Sequence, residues 1–224
     1  MQVVERVLAD LGPYLQAVEE QLRSVSDDTG TQMREITRHM VDSGGKRLRP
    51  ILTLLSAKVF GDDVEKTVPI AAATELIHMA TLAHDDVIDK ASTRRGKETV
   101  NRRWDNHTAV LAGDVLLARA LVMLVDHGSP AIVRTMSDMI RRMCDGEIEQ
   151  KASLNQLDQT EAEYFERIEK KTALFFAACC EAGALHQDAP EEHVRALAEY
   201  GRNIGTAFQV VDDLLAVSGE AEVV

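Results

Sequence analysis

The sequence predicts an all-α fold, and three observations predict it. Apolar residues recur at i, i+3, i+4 and i+7 along almost every segment, whereas strand-like alternation is nearly absent. Aromatic residues are only 4% of the 224 residues, while Ala, Leu, Val and Met abound, a mixture that favours helix over sheet. Helix start and stop residues punctuate the periodic runs where helices need them. Hydrophobic residues at 45% and charged residues at 28% describe a soluble globular chain able to bury a large core.

Residues 2–24 read as one helix, broken by "SDDTG". A second covers 31–43, closed by Gly44 and Gly45 as a C-terminal stop. Pro50 opens the next, which ends near Gly61. Thr67 and Pro69 start a long helix that runs through Asp89. "DHGSP", residues 126–130, is a turn between two further helices. Thr160 with Glu163 forms a capping box for a helix reaching about Leu185. Asp188 and Pro190 begin the last helix, which carries "AFQVVDDLLAV". No repeat, low-complexity tract or linker separates these segments. The expectation is a single bundle of about nine or ten helices with sites between facing helices.

Charge narrows the function. At a net charge of −12 the chain is a poor general ligand for nucleic acid or anionic membrane. No basic stripe with interleaved aromatics and no GxxxxGK[ST] loop is present. Adjacent Cys179 and Cys180 lie in an apolar helical run without a CxxC spacing, so they read as small core residues of a reduced, cytoplasmic protein; the third cysteine is Cys144. The N-terminus is amphipathic and acidic, unlike a signal peptide. "AVLAGDVLLARALVMLV", residues 109–125, is interrupted by Asp114 and Arg119, so a buried helix is expected rather than stable membrane insertion.

Two acidic clusters stand out. Asp85, Asp86 and Asp89 crowd the end of the long helix, where the macrodipole disfavours carboxylates. Asp85 and Asp89, one turn apart on one face, suit Mg²⁺, which takes oxygen ligands and is shared with substrate phosphates. Asp212 and Asp213 interrupt the apolar "FQVVDDLLA", where a buried carboxylate would need a partner or a metal. Basic clusters match them. "GGKRLRP" sets Lys46, Arg47 and Arg49 after a glycine pair, "RRGK" sets Arg94, Arg95 and Lys97 after the first acidic cluster, and Lys170, Lys171 and Thr172 add a third set. Arg binds phosphate through two bonds, Lys as a point charge. The residues alone suggest a helical protein holding two phosphate groups, one through Mg²⁺ and one directly.

These motifs, "GGKRLRP", "ELIHMATLAHDDVIDKASTRRGKETVN", "GDVLLARAL", "GEIEQ", "KKTA" and "FQVVDD", resemble in type and order the all-trans polyprenyl diphosphate synthases of the isoprenoid synthase fold. "ELIHMATLAHDDVID" is similar in particular to the catalytic subunit of bacterial heptaprenyl diphosphate synthases. The resemblance implies an isoprenoid synthase-type bundle with a central active-site cavity and a trans-prenyltransferase that condenses isopentenyl diphosphate with an allylic diphosphate. It implies Asp85, Asp89 and Asp212 as ligands of two or three Mg²⁺ ions, with Asp86 in support. It assigns Arg94, Lys171, Thr172 and Gln209 to the allylic diphosphate, and Lys46, Arg49, His78 and Arg95 to isopentenyl diphosphate. Without it, His78 on an apolar helix reads as a core histidine. A homodimer, or a heteromer with a small subunit, is the implied assembly.

Chain length has a physical reading. Ala80 and Thr81, one turn before Asp85, are small and leave room for a growing tail, which points to a product longer than C15. The chain departs from the family at Ala216, where a third aspartate of the second motif usually stands, and at Val224, beyond which relatives continue with a Gly-Lys loop and further helices. The expectation is a single synthase domain over 1–224 lacking the C-terminal helices. Those departures carry the alternative, a non-catalytic or modulatory subunit of a heteromeric synthase.

Overall fold

The computed structural model describes residues 2–27, 29–153 and 158–218. The chain divides into two compact units, Met1–Leu54 with Asp63–Gly128, and Leu55–Asp62 with Ser129–Val224. Val224, where the sequence is expected to depart from the family, lies outside the described residues.

The first unit contains α1 (Gln2–Ser24), α2 (Thr31–Asp42) and the start of α3 (Leu48–Lys58). A 3₁₀ turn at Glu65–Thr67 leads into α4 (Val68–Ile88), followed by α5 (Val100–Arg103) and α6 (Asn106–His127). α4 is the centre of this unit. Its Ile70, Ala71, Ala72, Ala73, Leu76 and Ile77 are fully buried, as a helix apolar on all sides must be. α4 packs on α1 and on α6. α6 is long and apolar enough to cross a membrane by length and composition. Its Ala109, Leu116, Ala120 and Leu124 are nevertheless fully buried, while Val110, Leu111, Val122 and Val125 are exposed. α3 begins two residues before Pro50, because a proline in the first turn loses no helical hydrogen bond.

The helical period does not reveal the hairpin. Thr93–Arg94 (β1) and Lys97–Glu98 (β2) form a short antiparallel hairpin. Its two turn residues, Arg95 (φ 52°) and Gly96 (φ 74°), are both left-handed, as a tight two-residue hairpin requires.

The second unit contains α7 (Pro130–Ser153), α8 (Glu161–Ile168), α9 (Leu174–His186) and α10 (Glu191–Ser218). Thr160 and Glu163 do form the capping box of α8. The single helix expected to reach about Leu185 is instead broken by a π-helical segment at Glu169–Ala173. One extra residue there turns the following side chains off the α-helical register, a device common at functional sites. α9 buries Phe175, Phe176, Cys179 and Cys180, each large apolar side chain contributing about 1.5–3 kcal/mol. Cys144 is exposed. α10 lies so close to α9 that a Cβ at Gly201 would stand 2.6 Å from the Phe176 carbonyl oxygen, and one at Gly205 2.6 Å from the Ala173 Cα.

The surroundings of the second acidic cluster differ from the expectation. Val211, Leu214, Leu215 and Val217 are exposed, and so is Asp212. The apolar run at the end of α10 is not buried among the described residues, so the cluster is not forced to find a metal by burial.

Candidate active site

The first unit brings three of the sequence motifs to one cavity. α2, the turn after it, α4 and the hairpin enclose a space lined by Arg47, Glu75, His78, Asp86, Arg94 and Arg95. Met40, Met79, Leu82 and Val100 supply its apolar side.

The hairpin is held from two directions. Arg94 donates from Nε to Asp86 Oδ1 at 2.8 Å, and its Nη2 stands at 2.8 Å from the same oxygen. Asp86 is buried, so this pair neutralises a carboxylate that the α4 C-terminus would otherwise oppose. Arg95 reaches across to donate to the Gly44 carbonyl. Gly45 makes that approach feasible, since a Cβ there would stand 2.5 Å from Arg95 Nη1. The two basic motifs are therefore one structure, with Lys97 also donating to the Asp42 carbonyl at 2.5 Å. His39 closes the clamp. Arg103 donates to its Nδ1 at 3.1 Å, which leaves Nε2–H to donate to the Glu98 carbonyl at 2.7 Å.

Arg47 has a different part from its neighbours. Its side chain pairs with Glu19 of α1 and, at 2.9 Å, with Glu75 of α4, and these partners raise its pKa against burial, which lowers it. Glu75 is buried, so Arg47 is committed to holding the turn. Sequence reasoning did not single out Glu19 or Glu75. Glu75, a carboxylate in the apolar run "IAAATELIHMA", was the signal available.

His78 lies in this arginine-rich setting. Burial, then Arg49, Arg95, Arg94 and Arg47, hold its imidazole well below the usual histidine range. It is neutral at pH 7 and adds no charge to the cavity. Arg95 lines the cavity with His78; Arg49 acts on His78 through its charge without lining the cavity, and exposed Lys46 does not line it either. Asp85 is half-buried, and exposed Asp89 caps α4 with its N–H on the Asp85 carbonyl at 2.8 Å. One turn before Asp85, Ala80 is buried and half-buried Thr81 donates to the His78 carbonyl at 2.8 Å.

The second unit carries the other predicted residues. Thr172, buried in the π segment, donates to Gln209 Oε1 at 2.6 Å, and Gln209 Nε2 donates to Asp213 Oδ1 at 2.8 Å. Lys171 is exposed, 3.5 Å from Glu147. Lys170 pairs with Glu149 at 2.5 Å and Glu166 at 2.9 Å. The "GEIEQ" motif of α7 thereby meets "KKTA".

The donor chemistry fits Mg²⁺. Asp85 and Asp89 offer hard oxygens at the end of α4, and Asp212 does so on α10. Among the described residues no group of three or more His, Cys, Asp or Glu is placed to hold a metal by itself.

Fold and site together define an all-α protein of the isoprenoid synthase class. Residues 31–224 match the pattern described as polyprenyl synthetase, and the chain belongs to that family, whose members are prenyltransferases. It is 43% identical to heptaprenyl diphosphate synthase component 2 of Geobacillus stearothermophilus, over 95% of this chain and 66% of that protein. A crystal structure of heptaprenyl diphosphate synthase from Staphylococcus aureus superposes with a TM-score of 0.90 at 38% identity, covering 95% of this chain and 67% of that one. The polyprenyl synthase from Caulobacter crescentus complexed with calcium and isoprenyl diphosphate gives a TM-score of 0.93 at 35% identity, covering 98% and 67%. Other relatives are named octaprenyl and geranylgeranyl diphosphate synthases. The chain spans 59–67% of the length of these proteins.

Proposed function

We propose that this chain belongs to a magnesium-dependent trans-prenyltransferase that joins isopentenyl diphosphate to an allylic diphosphate, giving a polyprenyl diphosphate longer than C15. The observation that carries the reading is the cavity of the first unit, where neutral His78 stands in the field of four arginines beside the carboxylate-bearing end of α4. Such a place attracts a diphosphate. Lys46, Arg49, His78 and Arg95 hold isopentenyl diphosphate. Arg94, Lys171, Thr172 and Gln209 serve the allylic diphosphate. Asp85, Asp89 and Asp212 are the residues to hold two or three Mg²⁺ ions, which would neutralise and polarise the leaving diphosphate.

In this mechanism the allylic C–O bond ionises and its electron pair leaves with the diphosphate. Arg94 and Lys171 stabilise the departing charge. The isopentenyl double bond attacks the allylic cation to form the new C–C bond, and a proton is lost to the departed diphosphate. The chain aligns the two reactants and excludes water, and no side-chain nucleophile is used. Similarity to proteins named component 2 of heptaprenyl diphosphate synthase supports assembly with a small second subunit, and the exposed Val110, Leu111, Val122 and Val125 of α6 support a partner, a second copy included.

The test is incubation with Mg²⁺, isopentenyl diphosphate and farnesyl diphosphate, with and without a candidate partner, followed by product sizing. Products beyond C15 are expected; none under either condition overturns the reading. Ala80→Phe should shorten the product, and an unchanged length sinks the assignment of Ala80 and Thr81 as the length gauge.

A further inference from the structure

Tyr164 lies on α8. Its hydroxyl donates to Asp213 Oδ2 at 2.9 Å, while Gln209 Nε2 donates to Asp213 Oδ1 at 2.8 Å. Both carboxylate oxygens of Asp213 are thus engaged by neutral donors from the protein. The chain of bonds continues, because Gln209 Oε1 accepts from Thr172 at 2.6 Å. One network therefore links α8, α10 and the π segment. Thr172 gives its single proton to Gln209, and Gln209 keeps one N–H beyond the bond to Asp213.

Neighbouring residues on a helix point about 100° apart. With Asp213 turned to Tyr164, Asp212 is turned away, and the burial agrees: Asp213 is half-buried and Asp212 exposed. Position 216 lies one turn beyond Asp212 on the same face, and it is Ala216. No second carboxylate there can stand in if Asp212 is misdirected. Tyr164 is itself well fixed. The Thr160–Glu163 capping box sets the start of its helix, the Phe165 ring meets it edge-on at 5.5 Å, and the Arg167 guanidinium lies 5.4 Å from its ring centre.

We propose that Tyr164 is a positioning residue of the second acidic cluster: by holding Asp213 it sets the rotation of the α10 end, so that Asp212 is the carboxylate that α10 presents to a magnesium-bound diphosphate. Asp213 is in this account an anchor, not a ligand. The inference rests on the diphosphate reading given above.

The test uses Tyr164→Phe, Asp213→Asn and the double variant. Tyr164→Phe keeps the ring contacts and deletes the hydroxyl. Binding of Mg²⁺ with inorganic diphosphate is measured by calorimetry, and steady-state kinetics run alongside. Tyr164→Phe should weaken magnesium–diphosphate binding about 10-fold, the loss typical of an outer-shell residue, and lower kcat while leaving the KM for isopentenyl diphosphate unchanged. The double variant should bind no more weakly than Asp213→Asn alone, because both substitutions break one tie. Wild-type affinity in Tyr164→Phe, or losses that add, overturns the inference and leaves the proposed function standing. A wild-type protein that binds no magnesium diphosphate overturns the proposed function, and this inference with it.

Discussion

Two acidic clusters serve the proposed reaction, and they are anchored differently. At the end of α4 the anchor is Asp86, buried and gripped by the charged guanidinium of Arg94. At the end of α10 the anchor is Asp213, half-buried and gripped by the neutral donors of Tyr164 and Gln209. In each adjacent pair the second aspartate is engaged by the protein, and the first, Asp85 or Asp212, is a predicted metal ligand. The difference lies in charge. Arg94 offsets one carboxylate in the first cluster, whereas Tyr164 and Gln209 leave the charge of the second intact. A charged anchor compensates burial, and a neutral one suffices where the anchor is only half-buried.

The largest effects are expected at the presented carboxylates. Asp85→Asn and Asp212→Asn should each lower kcat on the order of 10²–10³-fold, as loss of one preorganised electrostatic contact does. If Asp212→Asn behaves like a surface change in the kinetic assay, the second cluster is not a metal site. The anchors come next. Asp86→Asn should cost about 1–3 kcal/mol in urea unfolding, because Arg94 loses its charged partner, and Asp213→Asn should cost less. Equal costs would erase the distinction between charged and neutral anchors.

A smaller effect is expected at Gly45. Gly45→Ala should displace Arg95 and raise the KM for isopentenyl diphosphate on the order of 10-fold with kcat little changed. A drop in kcat alone would detach Arg95 from that substrate. The smallest effect is in pH dependence. His78 has a folded pKa below the unfolded value of about 6.5. Below that pH the unfolded chain takes up a proton that the folded chain refuses, so stability falls as pH drops from about 6.5 toward the folded pKa. Urea midpoints at about pH 7.5 and 5.0 measure it, and His78→Gln should flatten the slope.

Much of the fold was legible in the sequence because helical periodicity and capping are local. The capping box at Thr160 and the stop at Gly44 and Gly45 need only a few neighbouring residues. The π segment at Glu169–Ala173 left no such mark, since an inserted residue is tolerated wherever tertiary packing holds it. The hairpin was hidden for a related reason: its strands are two residues long, and Arg95 takes a left-handed turn position usually given to Asn, Asp or Gly.

The all-α class, the family and the two acidic clusters follow from period, residue type and spacing along one chain. The division of labour within each motif is set by the folded contacts. Lys46, Arg47 and Arg49 are equivalent on paper, but Glu19 and Glu75, each 28 residues away, commit Arg47 to the frame. Asp212 and Asp213 are likewise alike until Tyr164, 49 residues earlier, takes one of them. Whether a charged side chain is an anchor or a ligand depends on which donors and acceptors the fold brings within about 3 Å of it, and sequence separation does not report that distance.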